Sequence, residues 1–237
     1  MFAENVKADT KSRFEQSQVV DGKFDPAVKL RECIRDEGVP LTFSRSEFIL
    51  HQGKAGGQVY LIEDGIVAIT HRCINDHRQI YDFLFPPSLL LPTLGESRKL
   101  AYSAECLTDV SAHVISQQSL DRILRANPEY HFGLQQELGL VLERTQSHLS
   151  NIMCRQGEER VSFMLAQLHK LMTRSGGATR AGDWIGVTQI DLASSVGMTP
   201  VYINQIIKKL KASGAIASNR GKIKVVEPEL LESQSRL

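Results

Sequence analysis

The sequence predicts an α+β chain: an N-terminal double-stranded β-roll of jelly-roll type, then a long helix, then a C-terminal winged helix-turn-helix. Three observations predict it. Between Glu47 and Ile115, short segments rich in Val, Ile, Leu, Phe and Tyr are separated by Gly, Pro, Asn and Asp. After Pro128, the chain runs to Met153 without another Pro, with apolar residues alternating by four and three. From Val187 to Val226, two short segments with capping residues flank a Gly and lead into a small hairpin. The predicted division is an arm over 1–22, the roll over 23–118, the long-helix region over 119–154 and the winged helix-turn-helix over 155–237.

Composition bounds the reading. With 42% hydrophobic and 23% charged residues, the chain has the make-up of a soluble globular protein. No apolar stretch follows the polar start, so no signal peptide is expected. No run reaches the length of a membrane span, so the expected location is the cytoplasm. Charge is unevenly distributed. Cys154 to Val226 carries 11 Lys and Arg against 4 Asp and Glu, whereas Met1 to Met153 carries 16 against 20. A basic C-terminal part behind a mildly acidic one points to a polyanionic partner or to a solvated face. Cys33, Cys73, Cys106 and Cys154 are widely spaced with no CxxC pair, so they read as reduced, mostly buried thiols rather than metal ligands.

Each element follows from local residues. Asp25 and Pro26 open a short helix over Ala27–Cys33. Phe48–Leu50, Val59–Ile62, Ile66–Thr70, Ile80–Phe85 and Ala112–Ile115 read as strands, with Glu63-Asp64-Gly65 as a hairpin turn. Leu89–Leu91, bracketed by prolines, reads as a short buried segment. Ser119 is the candidate N-cap of a helix over Leu120–Arg125, which Asn127-Pro128 breaks. In the long helix, Leu134, Leu138, Val141, Thr145, His148 and Ile152 form a coiled-coil-like seam, widened by Leu142 and Leu149. That seam fits a homodimer helix, or a helix packed on its own domain. Another amphipathic helix covers Arg160–Met172, and Ser175–Ala178 reads as a loop.

The motif that carries function begins at Val187. Thr188 caps a short helix running to Val196, with Asp191 completing a capping-box-like pair. Gly197 supplies a left-handed turn. Thr199 caps a second helix, Pro200 takes its first position, and Ile203, Ile206, Ile207 and Leu210 form its inner face. Ser213-Gly214 ends it, and a hairpin turning at Asn219-Arg220-Gly221 follows as a wing charged by Arg220, Lys222 and Lys224. Double-stranded DNA is therefore the expected partner.

On these residues the chain resembles the Crp/Fnr family of bacterial regulators, from about Phe24 to Glu227. Glu47–Gly53 and Val59–Val67 look like the family's first roll hairpins. Leu192-Ala193, Val196–Thr199 and Thr199–Gln205 resemble its helix-turn-helix core. The resemblance implies a roll like a cyclic-nucleotide-binding jelly roll, a homodimer on a palindromic operator, and contact with RNA polymerase if the protein activates transcription. It places Thr188, Gln189 and Thr199 on phosphates, and Pro200, Val201, Tyr202, Asn204 and Gln205 toward bases, with Lys208, Lys209, Arg220 and Lys222 adding charge. Of Lys208 and Lys209, one faces away from DNA. Pro200, Val201 and Gln205 stand where some members read bases with an Arg, a Glu and a second Arg, so no operator carries over. Gln205 still suits a bidentate contact to adenine.

No cofactor is expected. Tyr102-Ser103-Ala104 stands where cyclic-nucleotide members carry an Arg that pairs with the phosphate, and Gly95-Glu96 lies too close to it for the usual spacing. The N-terminal region has only Cys33, too few for an iron–sulfur cluster. His71, Cys73 and His77 near one hairpin read as ordinary surface or core residues rather than haem ligands. Cys154, beside Arg155 at the junction of the long helix and the C-terminal part, reads as a buried inert thiol or as a redox-reactive one whose oxidation moves the hinge. The residues name no small-molecule effector. Two other classes stay open: a cupin-type metal enzyme, which needs a His-x-His pair that His51, His71, His77, His113 and His131 do not form, and a winged-helix adaptor that docks another protein.

Overall fold

A computed structural model describes residues 25–73, 77–92, 99–174, 184–219 and 221–235. Helix α1 (Pro26–Glu37) leads into strands β1 (Val39–Phe43), β2 (Phe48–Leu50), β3 (Gln58–Asp64), β4 (Val67–Arg72), β5 (Arg78–Leu84), β6 (Ser88–Leu90), β7 (Ser103–Cys106) and β8 (Val110–Ser116). Helices α2 (Gln117–Ala126), α3 (Tyr130–Cys154) and α4 (Gly157–Arg174) follow. The C-terminal part holds α5 (Gln189–Val196), α6 (Pro200–Ala212), β9 (Ile216–Asn219), β10 (Lys222–Val225) and α7 (Pro228–Gln234).

The eight roll strands form two antiparallel sheets, ordered β1-β8-β3-β6 and β2-β7-β4-β5. Ile62, Val67, Leu84, Ala104, Cys106 and Ala112 meet in the core between them. The first sheet also buries its other face, where Val59, Leu61 and Ile115 pack on Leu30 and Ile34 of α1 and on Leu120 and Ile123 of α2. Burial on both faces explains why β3 reads as an unbroken apolar run rather than an alternation. The second sheet does the same with the C-terminal domain. Ile66, Ala68, Ile80, Phe83 and Leu107 share one core with Val161, Leu165, Leu192, Ile203 and Ile223.

Several boundaries differ from expectation. Helix α2 starts at Gln117, because the Ser116 side chain accepts from the Ser119 N–H at 3.0 Å; Ser119 lies inside the first turn and is not the cap. Strand β1 was not anticipated. It is an edge strand paired only with β8, mostly exposed, and its Pro40 sits where a missing N–H is tolerated. Strands β6 and β7, three and four residues long, fall below any periodicity signal. The thiols were expected to be mostly buried, but Cys106 alone is fully so; Cys33 is half-buried, and Cys73 and Cys154 are exposed. Burial pushes the Cys106 thiol up to about 12, so it stays protonated. The loop over Ser175–Ala178 and the turn residue Arg220 lie outside the described residues.

Ion pairs tie α3 to the body of the roll. Arg144 holds Asp82 of β5 at 2.9 Å, and Arg31 of α1 pairs with Glu137. Burial raises the Asp82 carboxyl, and the Arg144 charge opposes that rise. Burial likewise raises Glu137 against Arg31.

Candidate nucleic-acid interface

The interface is assembled by two short helices and a turn. The Thr188 hydroxyl accepts from the Asp191 N–H at 3.2 Å, and Asp191 Oδ2 accepts from the Thr188 N–H at 3.0 Å. That reciprocal box fixes the start of α5. Gly197 ends it at φ +66°, ψ +38°, a conformation that a side chain disfavours. The chain can then reverse within three residues. Thr199 Oγ1 accepts from the Tyr202 N–H at 3.3 Å, and Pro200 occupies the first turn of α6.

Helix α6 is sharply two-sided. Ile203, Ile206, Ile207 and Leu210 are at most 2% exposed and seat the helix on the domain core. Thr199, Pro200, Val201, Tyr202, Asn204, Gln205, Lys208 and Lys209 are all exposed on the outer side. Such a face can enter a groove of B-DNA without moving the helix from its seat. Lys209 Nζ lies 3.8 Å from the Glu158 carboxylate, so its charge is partly met within the chain. The Tyr202 hydroxyl leans toward the α3–α4 junction, only 2.9 Å from where a Cβ on Gly157 would stand. Thr188 and Gln189 are half-buried, and the Thr188 hydroxyl also donates to Asp191 at 2.7 Å.

The wing is the β9–β10 ribbon, in which Lys222 is opposite Asn219 and Lys224 is opposite Ala217. Lys222 is exposed and Lys224 is half-buried. Two exposed apolar side chains near this surface, Ile190 (64%) and Val201 (71%), have no intramolecular packing role that explains them.

On α3, Leu138, Val141, Leu142, Thr145 and Leu149 are exposed, while His148 and Ile152 are half-buried. Leu134 is partly covered by the core beneath α1 and α2. The exposed stripe borders a groove of about 650 Å³ between α3, the roll and the end of α5. Ile69, Leu84, Leu90 and Leu91 line its roll side, with Tyr102, whose hydroxyl donates to the Leu91 carbonyl. Among the described residues lining the groove, the only guanidinium is that of Arg160. It donates to the carbonyls of Ile152, Arg155 and Val196. Sequence reasoning missed Arg160 and also Arg78, which reaches from β5 to Asp191 of α5 at 2.8 Å. Nothing local marks either residue, because their partners are carbonyls or side chains from other elements.

The histidines are engaged in ordinary contacts. His51 stacks on Phe48, His71 pairs with Gln52, His113 lies 3.6 Å from Glu63, and His131 Nδ1 pairs with the Pro128 carbonyl. No helix among the described residues is long and apolar enough to cross a membrane.

A family model described as the Crp-like helix-turn-helix domain matches residues 159–234, and one described as the cyclic nucleotide-binding domain matches residues 40–127. The CRP-like cAMP-activated global transcriptional regulator of Mycobacterium tuberculosis is 24% identical over 199 residues, 83% of this chain and 88% of that protein. The nitrogen fixation regulation protein FixK of Azorhizobium caulinodans is 24% identical over 197 residues, 81% of this chain and 77% of that protein. The structure of FixK2 from Bradyrhizobium japonicum superposes with a TM-score of 0.74 at 17% identity, over 84% of this chain and 98% of that one.

Proposed function

From the premise that this chain belongs to the Crp/Fnr family and is a DNA-binding transcription regulator of that type, we propose that it acts as a homodimer on a palindromic operator. The observation that carries the proposal is the two-sided helix α6, seated by four buried aliphatic residues and open along its whole polar face.

The exposed stripe of Leu138, Val141, Leu142 and Leu149 on α3 supports pairing of two chains along that helix, with Thr145, His148 and Ile152 continuing the seam and Leu134 at its start. Pairing there sets two α6 helices about 34 Å apart, one turn of B-DNA. In each half-site Gln205 contacts an adenine edge, while Asn204, Tyr202, Val201 and Pro200 meet neighbouring bases or sugar. Thr188, Gln189, Thr199 and Lys208 bind phosphates at the groove wall, and Arg220 and Lys222 do so from the wing. Such a regulator works on the chromosome, in the cytoplasm, and touches RNA polymerase where it activates.

The roll's signal is not carried over from the mycobacterial relative. Tyr102 stands where a phosphate-pairing Arg is expected, and the Arg160 guanidinium is committed to main-chain carbonyls. A cyclic phosphate seated there finds no bidentate partner among the described residues lining the groove.

Retention on duplex DNA across a salt series tests the proposal. Specific binding through a dozen positions over two chains gives a steep linear fall of log affinity with log salt. A purified protein indifferent to every duplex at 50 mM salt overturns it.

A further inference from the structure

Helix α6 has three sides, and two of them are committed within the chain. Ile203, Ile206, Ile207 and Leu210 seat it on the core. One flank carries Tyr202 and, seven residues on, Lys209, and both turn toward the α3–α4 junction. Lys209 Nζ lies 3.8 Å from Glu158, and the Tyr202 hydroxyl lies 2.9 Å from where a Cβ on Gly157 would stand. Gly157 holds φ +49°, so a side chain there is strained as well as crowded. At 3.6 residues per turn, Val201, Gln205 and Lys208 fall within about 60° of one another, opposite the four seated aliphatics. All three are exposed and form the crest of the helix.

The crest is mixed in chemistry. Gln205 and Lys208 are polar, whereas Val201 is apolar and 71% exposed. In the major groove a base edge offers hydrogen-bond acceptors, donors or the thymine 5-methyl group. Val201 has neither a donor nor an acceptor. Pressed on a polar edge, it takes water from that edge and returns no hydrogen bond, which is costly. The thymine methyl alone gains from an apolar neighbour. A β-branched side chain in a helix has one strongly preferred rotamer, so Val201 presents its two methyl groups in a fixed direction. Gln205 stands one turn further on, about 6 Å along the axis. That rise is about two base-pair steps of B-DNA.

We propose that Val201 is a specificity-determining residue, which reads the 5-methyl group of one thymine in each half-site, within about two base pairs of the adenine that Gln205 contacts. The inference rests on the DNA-binding reading and names the base feature that Val201 recognises. At that position the methyl group, and not a hydrogen-bonding edge, selects the base. Val201 and Gln205 then read neighbouring A·T pairs by different chemistry, one through the methyl and the other through the adenine edge.

The test uses the full chain and a duplex that it selects from random sequence. Each thymine of the half-site is replaced in turn by deoxyuridine, in both half-sites at once. The replacement removes a methyl group and keeps every hydrogen-bonding group. At one position the parent is expected to lose about fourfold in affinity per half-site, the worth of one buried methyl, or about fifteenfold over two. Val201→Ala keeps a good helix former and shortens the side chain by two methyl groups. With that variant the loss at the same position is expected to shrink to less than about twofold per half-site, while other thymines respond as before. Its urea unfolding is expected to match the parent, since Val201 is exposed. The absence of any such thymine overturns the inference, and so does a loss that Val201→Ala retains in full. A sensitive thymine more than about two base pairs from the pair relaxed by Gln205→Ala overturns it as well. A protein that binds its selected duplex and ignores every uracil sinks this inference and leaves the DNA-binding reading standing; one that selects no duplex overturns both.

Discussion

Replacing Leu138 and Val141 with glutamate separates a dimer helix from a helix that serves only its own domain. Leu138, Val141, Leu142 and Leu149 are 49%, 37%, 58% and 56% exposed, so each keeps roughly half its side chain available to a partner. Full burial of such a side chain is worth about 1.5–3 kcal/mol, which makes the remaining half worth about 1 kcal/mol. The double substitution removes two such residues from each chain, a loss of about 4 kcal/mol, and sets four carboxylates along one seam. At 1.4 kcal/mol per tenfold, the dimer dissociation constant rises by about a thousandfold or more. The protomer itself tolerates the change, since substitutions at exposed positions usually alter stability by about 0.5 kcal/mol or less. Sedimentation equilibrium gives the dissociation constant, urea unfolding checks the protomer, and footprinting reports specific binding. Monomers without specific binding are expected. A variant that stays dimeric, or a monomer that protects the same palindrome, refutes the reasoning.

Three further outcomes follow from particular side chains. Gln205→Ala is expected to cost about 1–3 kcal/mol of discrimination at one base pair per half-site, read by binding-site selection, with no change in fold because Gln205 is exposed. Arg144→Met leaves the Asp82 carboxylate buried without its partner and is expected to destabilise the chain by about 3–5 kcal/mol in urea unfolding. Adding Asp82→Asn to that variant should recover much of the loss, since the stranded charge is then gone. Burial lowers His148, so the unfolded chain takes up a proton that the folded one refuses as pH falls below about 6.5. Stability is therefore full above that value and declines below it, and His148→Gln should flatten the urea midpoint between pH 7.5 and 5.5.

The helix-turn-helix was legible because every feature of it is local. Caps at Thr188 and Thr199, the turn at Gly197 and the inner face of α6 lie within twenty-three residues and each has a residue-level signature. The roll was legible as a texture, with strands placed to within a residue or two at β2, β3 and β5, and missed at β1, which is mostly exposed, and at β7, which is four residues long. What the sequence could not show is how the parts join. Arg78 and Asp191 are 113 positions apart, and the core shared by Ile66, Ile80 and Leu107 with the C-terminal domain depends on which face of the second sheet that domain covers. The exposure of Cys154 is of the same kind. Its neighbour Arg155 turns inward over the Phe163 ring at 4.0 Å and donates to the Ser235 carbonyl at 2.9 Å, leaving the thiol outside.

The joint between α3 and the DNA domain has a consequence for signalling. A helix end leaves its last carbonyls without intrahelical donors, and at α3 the Ile152 and Arg155 carbonyls are met by the Arg160 guanidinium. The same guanidinium reaches the Val196 carbonyl at the end of α5 at 3.3 Å. One side chain thereby bridges the end of α3 and the end of the first helix of the helix-turn-helix. Asn151, fully buried, adds a bond from its amide to the Arg160 carbonyl at 3.2 Å. A junction held this way is a stiff elbow and not a linker. Two chains paired along α3 would then hold their α6 helices at a separation that depends on the bonds at Arg160 and Arg78 and on the core that the roll shares with the C-terminal domain. Discrete bonds that break together give two states rather than a continuum, and two states are what an on–off regulator requires.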